Sequence, residues 1–109
     1  MTEATSIEEV ENMIQEEGLN APRLSPDDLK KAIVSEEYVF HTVANGAFLT
    51  WCILVLENGY TVVGDPSVCV SIENNNEKVG KQVAYNNSFD KLWPLEGYKL
   101  KEKLYQENK

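Results

Sequence analysis

The sequence predicts an α+β domain: N-terminal helices, an antiparallel β-meander of three to four strands, and two C-terminal helices. Three observations carry this. Two Asn-Gly pairs, Asn45-Gly46 and Asn58-Gly59, each lie between apolar runs. Asn-Gly suits a type I′ hairpin turn, in which both central residues need φ > 0. The run between the pairs, AFLTWCILVLE at residues 47–57, reads as one long strand. Segments of 3.6-residue period flank the meander on both sides.

The first segment, SIEEVENMIQEEG at residues 6–18, predicts an acidic helix. Ser6 and Glu9 have the spacing of a capping box, and Gly18 suits the stop. Ile7, Val10, Met13 and Ile14 give it only a narrow apolar stripe. A linker containing Pro22 follows, so residues 1–24 divide from the domain at 25–109. Ser25-Pro26-Asp27-Asp28 opens a second helix, with Ser25 as cap, Pro26 at the first helical position and two acids at the positive end of the dipole. Leu29, Ala32 and Ile33 form its buried edge, and the helix should end near Ser35.

The strand at 47–57 is apolar on both faces. Phe48, Cys52, Leu54 and Leu56 point one way; Leu49, Trp51, Ile53 and Val55 point the other. A strand with one wet face would alternate apolar and polar. The sheet therefore needs cover on both sides, from helices or from a second copy of the chain. Gly64-Asp65-Pro66 predicts a turn, since Pro66 has no N–H for a ladder, and residues 67–70 pair again as a short strand.

The polar residues 71–76 lead into a third helix, from residue 75 to about 93. Gly80, Ala84 and Ser88 are spaced by four and share a face. Small side chains at that spacing let another backbone come close. Tyr85, Phe89 and Trp93 form a second face, read either as a core stripe or as a stacking platform. Asn87 lies beside the small face; buried, its amide must find partners in the core or in a ligand. Pro94 either kinks a long helix or starts a fourth at its first position. Leu100 and Leu104 carry the last apolar stripe, with Lys99, Lys101 and Lys103 along the other side.

Composition narrows the function. A net charge of −8 argues against a general nucleic-acid binder, which presents a basic face. It suits a solubilising surface or an acidic decoy for a DNA-binding surface. The acidic N-terminus lacks the apolar core of a signal peptide, and no run is long enough for a membrane span. A cytoplasmic location is expected, with Cys52 and Cys69 as reduced thiols. His41 is the only histidine, and the cysteines have no CxxC spacing, so no metal site or cofactor is expected. None of the phosphate-loop, dinucleotide, metalloprotease or nucleophile-elbow motifs occurs, which predicts a protein that is not an enzyme.

LSPDDLKKAIVSEEYVF and ILVLENGYTVVGDPSVCVSIENNNEKVGKQVAYNNSFDKLWPLEGYKLKEKL together resemble the phage gene 49/gene 66 family of small tailed-phage and prophage proteins, from about Leu24 to Leu104. The strongest pieces are the Asn58-Gly59-Tyr60 turn, the strand Val68-Cys69-Val70, Gly80 within VGKQVA, and WPLEGY from Trp93 to Tyr98. The chain departs from other members in lacking an aromatic at Asn75 or Asn76 and a basic residue near Tyr85. The resemblance implies a phage or prophage accessory protein acting in the bacterial cytoplasm without catalysis. In outline the architecture is also similar to the Thoeris anti-defence proteins, which sequester cyclic ADP-ribose isomers.

Two functions are consistent with this. One is a homo-oligomeric sponge for a small nucleotide-derived signal, a cyclic ADP-ribose isomer or a cyclic nucleotide. Its phosphates would meet helix N–H groups with Lys78 or Lys81, joined by Lys99 and Lys103 of a second subunit. Its base would stack on Tyr85, Phe89 or Tyr98, and Asn87 would read a polar edge. The other is an acidic inhibitor that docks on a host protein as a DNA mimic.

Overall fold

A computed structural model describes residues 23–70 and 76–109. The helix expected at residues 6–18 lies outside the described residues. The architecture is α+β: a short helix, a four-stranded antiparallel sheet and a bent pair of C-terminal helices.

Helix α1 spans Pro26–Ala32. Its capping box is complete: the Asp28 N–H donates to Ser25 Oγ at 3.2 Å, and the Ser25 N–H donates to Asp28 Oδ2 at 2.9 Å. Those bonds hold the Asp28 carboxyl below the ordinary range, the Ser25 backbone N–H first among them. The helix stops earlier than the sequence suggests. Ile33 is already extended at φ −87 and ψ 123, and it opens strand β1, Ile33–Thr42.

Strand β2, Phe48–Leu56, is the centre of the sheet. On one edge it pairs with β1, after a one-residue bulge at Val34. On the other edge it pairs with both β3, Thr61–Val63, and β4, Ser67–Cys69. Paired residue numbers add to 116 along β3, as in 53 + 63, and to 117 along β4, as in 49 + 68. The sum rises by one, so Gly64-Asp65-Pro66 is a bulge inside one edge strand rather than the turn expected from Pro66.

The two hairpins also differ from expectation. Among the described residues no non-glycine has positive φ, so Asn45 and Asn58 do not form type I′ turns. Instead the Gly46 N–H donates to the Val43 carbonyl and the Gly59 N–H to the Leu56 carbonyl, closing type I turns. Gly46 at φ 91 and Gly59 at φ 90 then supply the left-handed residue of a three-residue loop. Each asparagine accepts a bond from the backbone two residues on: Ala47 N–H to Asn45 Oδ1 and Tyr60 N–H to Asn58 Oδ1.

Helix α2, Glu77–Asp90, is capped by Asn76, whose Oδ1 accepts from the Val79 N–H. It ends where Pro94 takes effect. Proline at 94 cannot bond the carbonyl of Asp90 and its ring collides with that carbonyl, so the axis breaks at Lys91. Helix α3, Leu92–Glu107, continues, with Pro94 at its third position rather than its first.

Helices α1, α2 and α3 all contribute to a core on one face of the sheet. That core joins Leu29, Cys52, Leu54, Leu56, Val62, Ala84, Phe89 and Leu92. The small-residue face of α2 points into it. A Cβ on Gly80 would sit 3.3 Å from Ser67 Oγ and 3.5 Å from Thr50 Oγ1, and Ala84 and Ser88 are fully buried. What packs on this face is the chain's own sheet, which meets Gly80 through the Ser67 and Thr50 hydroxyls. The opposite face of β2, with Leu49, Trp51, Ile53 and Val55, is only half-buried.

Candidate functional site

Two backbone groups explain how α2 is seated. The bulge at Gly64–Pro66 removes the ladder partners of the Cys52 carbonyl and the Gly64 N–H, which the β3 register would otherwise pair. Ser88 takes both: its Oγ donates to the Cys52 carbonyl at 2.6 Å and accepts from the Gly64 N–H at 2.9 Å. Asn87 Nδ2 donates to the Asp65 carbonyl at 3.0 Å. Gly64 must be glycine, since a Cβ there would lie 2.5 Å from the Asn87 backbone. These contacts pin α2 above β2 and β4.

Seated there, α2 leaves the inner side of edge strand β1 uncovered. An open groove of about 360 Å³ runs between them, lined by Glu36 and Tyr38 from β1 and by Lys78, Lys81, Gln82 and Tyr85 from α2. Lys81 crosses it. Its Nζ stands 5.4 Å from the centre of the Tyr38 ring and 5.8 Å from that of Phe40, within cation–π reach of both. It also pairs with Glu77 at 3.3 Å, one turn back on the helix. Phe40 stacks on Phe48 with ring centres 6.1 Å apart.

The groove's acid–base character is fixed by burial. Tyr38 donates its hydroxyl to Glu36 Oε2 at 2.6 Å. Burial first, and that carboxylate second, push its pKa well above the ordinary phenol value. Burial likewise raises Tyr85, and it raises the Cys52 thiol beneath. All three stay protonated near neutral pH. The groove thus offers two ammonium groups, two neutral phenols, one amide and one carboxylate. Among the described residues, no cluster of three or more His, Cys, Asp or Glu side chains is placed to hold a metal ion. His41 lies on the other face of the sheet, paired with Leu49 in the register.

The structure brings together Lys78, Lys81 and Tyr85 of the residues singled out in the sequence. It does not bring the others into the groove. Phe89 is in the core, stacked on Tyr85 at 5.7 Å and edge-on to Trp93 at 6.4 Å, so this face belongs to the core except where Tyr85 reaches the groove. Asn87 is engaged at the bulge. Tyr98 and Lys103 are exposed on α3, and Lys99 reaches Glu96 at 3.4 Å and Glu57 at 3.9 Å. Sequence reasoning missed Glu36, Tyr38 and Gln82. The alternation of Tyr38 and Phe40 on one face of β1 was a legible signal; its apposition to Lys81 depends on long-range register.

Among the described residues no helix is long and apolar enough to cross a membrane. The comparison with curated proteins finds no match, nor does the comparison with solved structures. A phage protein family matches residues 24–104. That span holds α1, the whole sheet with both glycine turns, α2 and most of α3. On that match the chain belongs to the phage protein (N4 Gp49/phage Sf6 gene 66) family.

Proposed function

We propose that this phage protein is a non-enzymatic accessory that binds a small anionic, nucleotide-derived molecule and releases it unchanged, lowering its free concentration as a counter to host defence. The observation that carries this reading is Lys81, held over two aromatic rings in a groove it shares with Lys78 and Tyr85. A phosphate there meets two ammonium groups at close range. A base meets the faces of Tyr38 and Tyr85, with stacking worth about 1–3 kcal/mol per base by analogy with single-strand binders. Gln82, now bonded to Asn86 at 2.9 Å, presents an amide to the polar edge.

The net charge of −8 acts against the approach of an anion. The nearby carboxylates of Glu36 and Glu77 do the same locally. The same charge favours a second reading, an acidic protein that docks on a host protein in place of DNA. Calorimetry against cyclic nucleotides and ADP-ribose derivatives decides between them. The sponge reading expects heat with at least one ligand, and at least a tenfold weaker Kd in Lys81→Ala, about 1.4 kcal/mol. No heat from any ligand, with capture of a DNA-binding host protein, overturns it in favour of the acidic inhibitor.

A further inference from the structure

The face of the sheet away from the helices is self-complementary. We propose that two copies of this chain meet there, sheet on sheet, about a two-fold axis that crosses the strands at Val39 and Trp51. This inference does not depend on the groove, which lies on the other side of the sheet.

The strand registers arrange the open face in cross-strand rows. Val39 and Trp51 form the central row. On one side lies the row His41, Leu49 and Val68. On the other lies Glu37, Ile53 and Val63. Beyond it come Ser35, Val55 and Thr61. Seven of these eleven residues are apolar, and Val39, Val63 and Val68 remain 45%, 43% and 57% exposed in the single chain. An apolar patch of that continuity on a folded chain marks a contact surface.

Three features favour a second copy as the occupant. The first is shape. Twisted sheets stack face to face at about 10 Å, side chains interdigitating, and helices α1, α2 and α3 pack on the other face. The second is charge. The chain carries 18 acidic residues against 10 basic ones, yet the eleven residues of these rows include one carboxylate, Glu37, with Asp65 of the bulge exposed at the rim beyond Trp51, so most of the acidic surface stays clear of the contact.

The third is symmetry. A two-fold axis through the central row exchanges the two rows beside it. Trp51 then packs on the second copy's Trp51, and Leu49 on its Ile53. Val68 packs on the second copy's Val63. Glu37 faces the second copy's His41, and His41 faces its Glu37. An axis through either neighbouring row instead sets Glu37 on Glu37 or His41 on His41. The central row therefore fixes the register, with an aromatic anchor at its middle.

Light scattering of the full chain at micromolar concentration is expected to give twice 12.3 kDa. Trp51→Glu places a charge at the middle of the face and should yield a monomer with an unchanged far-ultraviolet circular dichroism spectrum. Glu37→His and His41→Glu each break the cross-pairing and should weaken the dimer at least tenfold. The double variant Glu37→His/His41→Glu restores an acid opposite an imidazole and should recover most of that loss. If Trp51→Glu fails to fold, the charge exchange decides alone. A wild-type mass of 12.3 kDa, a dimer indifferent to Trp51→Glu in its folded form, or a double variant no better than the singles overturns the proposal.

Discussion

Ser88 shows how much one hydroxyl can organise. It is fully buried and replaces a missing rung between two strands, donating to one and accepting from the other. Removing it strands a buried carbonyl and a buried N–H. Leaving each unsatisfied costs about 1–3 kcal/mol. Ser88→Ala is therefore expected to lose about 2–4 kcal/mol in urea unfolding, beyond what its small volume change explains. A loss below about 1 kcal/mol would mean that the two groups find other partners, and the account of the bulge would be wrong. The sequence offered Ser88 only as a small residue on a close-packing face. Its hydrogen-bonding role depends on a bulge in the edge strand, which Gly64 and Pro66 mark in the sequence but which reads equally well as a turn. The same holds for Asn87. Its identity demanded a partner, and the partner proved to be the carbonyl of Asp65, exposed by that bulge.

At the scale of elements, the two hairpins were legible in position but not in class. An Asn-Gly pair satisfies a type I′ turn with both residues at positive φ, and it satisfies a type I turn plus one left-handed glycine just as well. The observed loops take the second form, with the asparagine spending its side chain on the backbone. This yields a contrast in mutational cost. Nothing lies within 4 Å of a Cβ built on Gly59, so its penalty is purely conformational. Gly59→Ala should cost about 1–2 kcal/mol from the left-handed region alone, while Gly59→Asn should cost visibly less. Equal stability of Gly59→Ala and wild type in thermal unfolding would exclude the left-handed glycine. The double-sided apolar pattern of β2 reads as a demand for cover on both faces; the helices supply it on one, and among the described residues the other stays half-buried. Helix α1 ended early because Ile33 and Val34 are β-branched and Ile33 already pairs with Leu56 of β2, so they gain more from the sheet than from another helical turn.

At the scale of the whole molecule, the position of the core decides which part of the chain is needed for the fold. Every residue of the described core cluster, with the partly buried residues packed on it, falls between Leu24 and Trp93. Leu24 itself is the outermost of these, with its Cδ1 3.9 Å from where a Cβ on Gly97 would stand. The family match begins at the same residue, 24, and ends at 104. The capping box of α1 closes on Ser25 and Asp28 and draws nothing from upstream. A chain that starts at Arg23 therefore retains every contact named here. It is expected to fold with the same circular dichroism spectrum and to melt within roughly 4 °C of the full-length chain, which corresponds to less than about 1 kcal/mol for a domain of this size. The acidic stretch at residues 6–18 offers only the narrow stripe of Ile7, Val10, Met13 and Ile14 to bury, too little to carry the stability of the rest. A truncated chain that precipitates, loses its cooperative transition or melts far lower would show instead that this stripe lies against the domain. The bare sheet face with Trp51 at its middle would then be the first place to look for it.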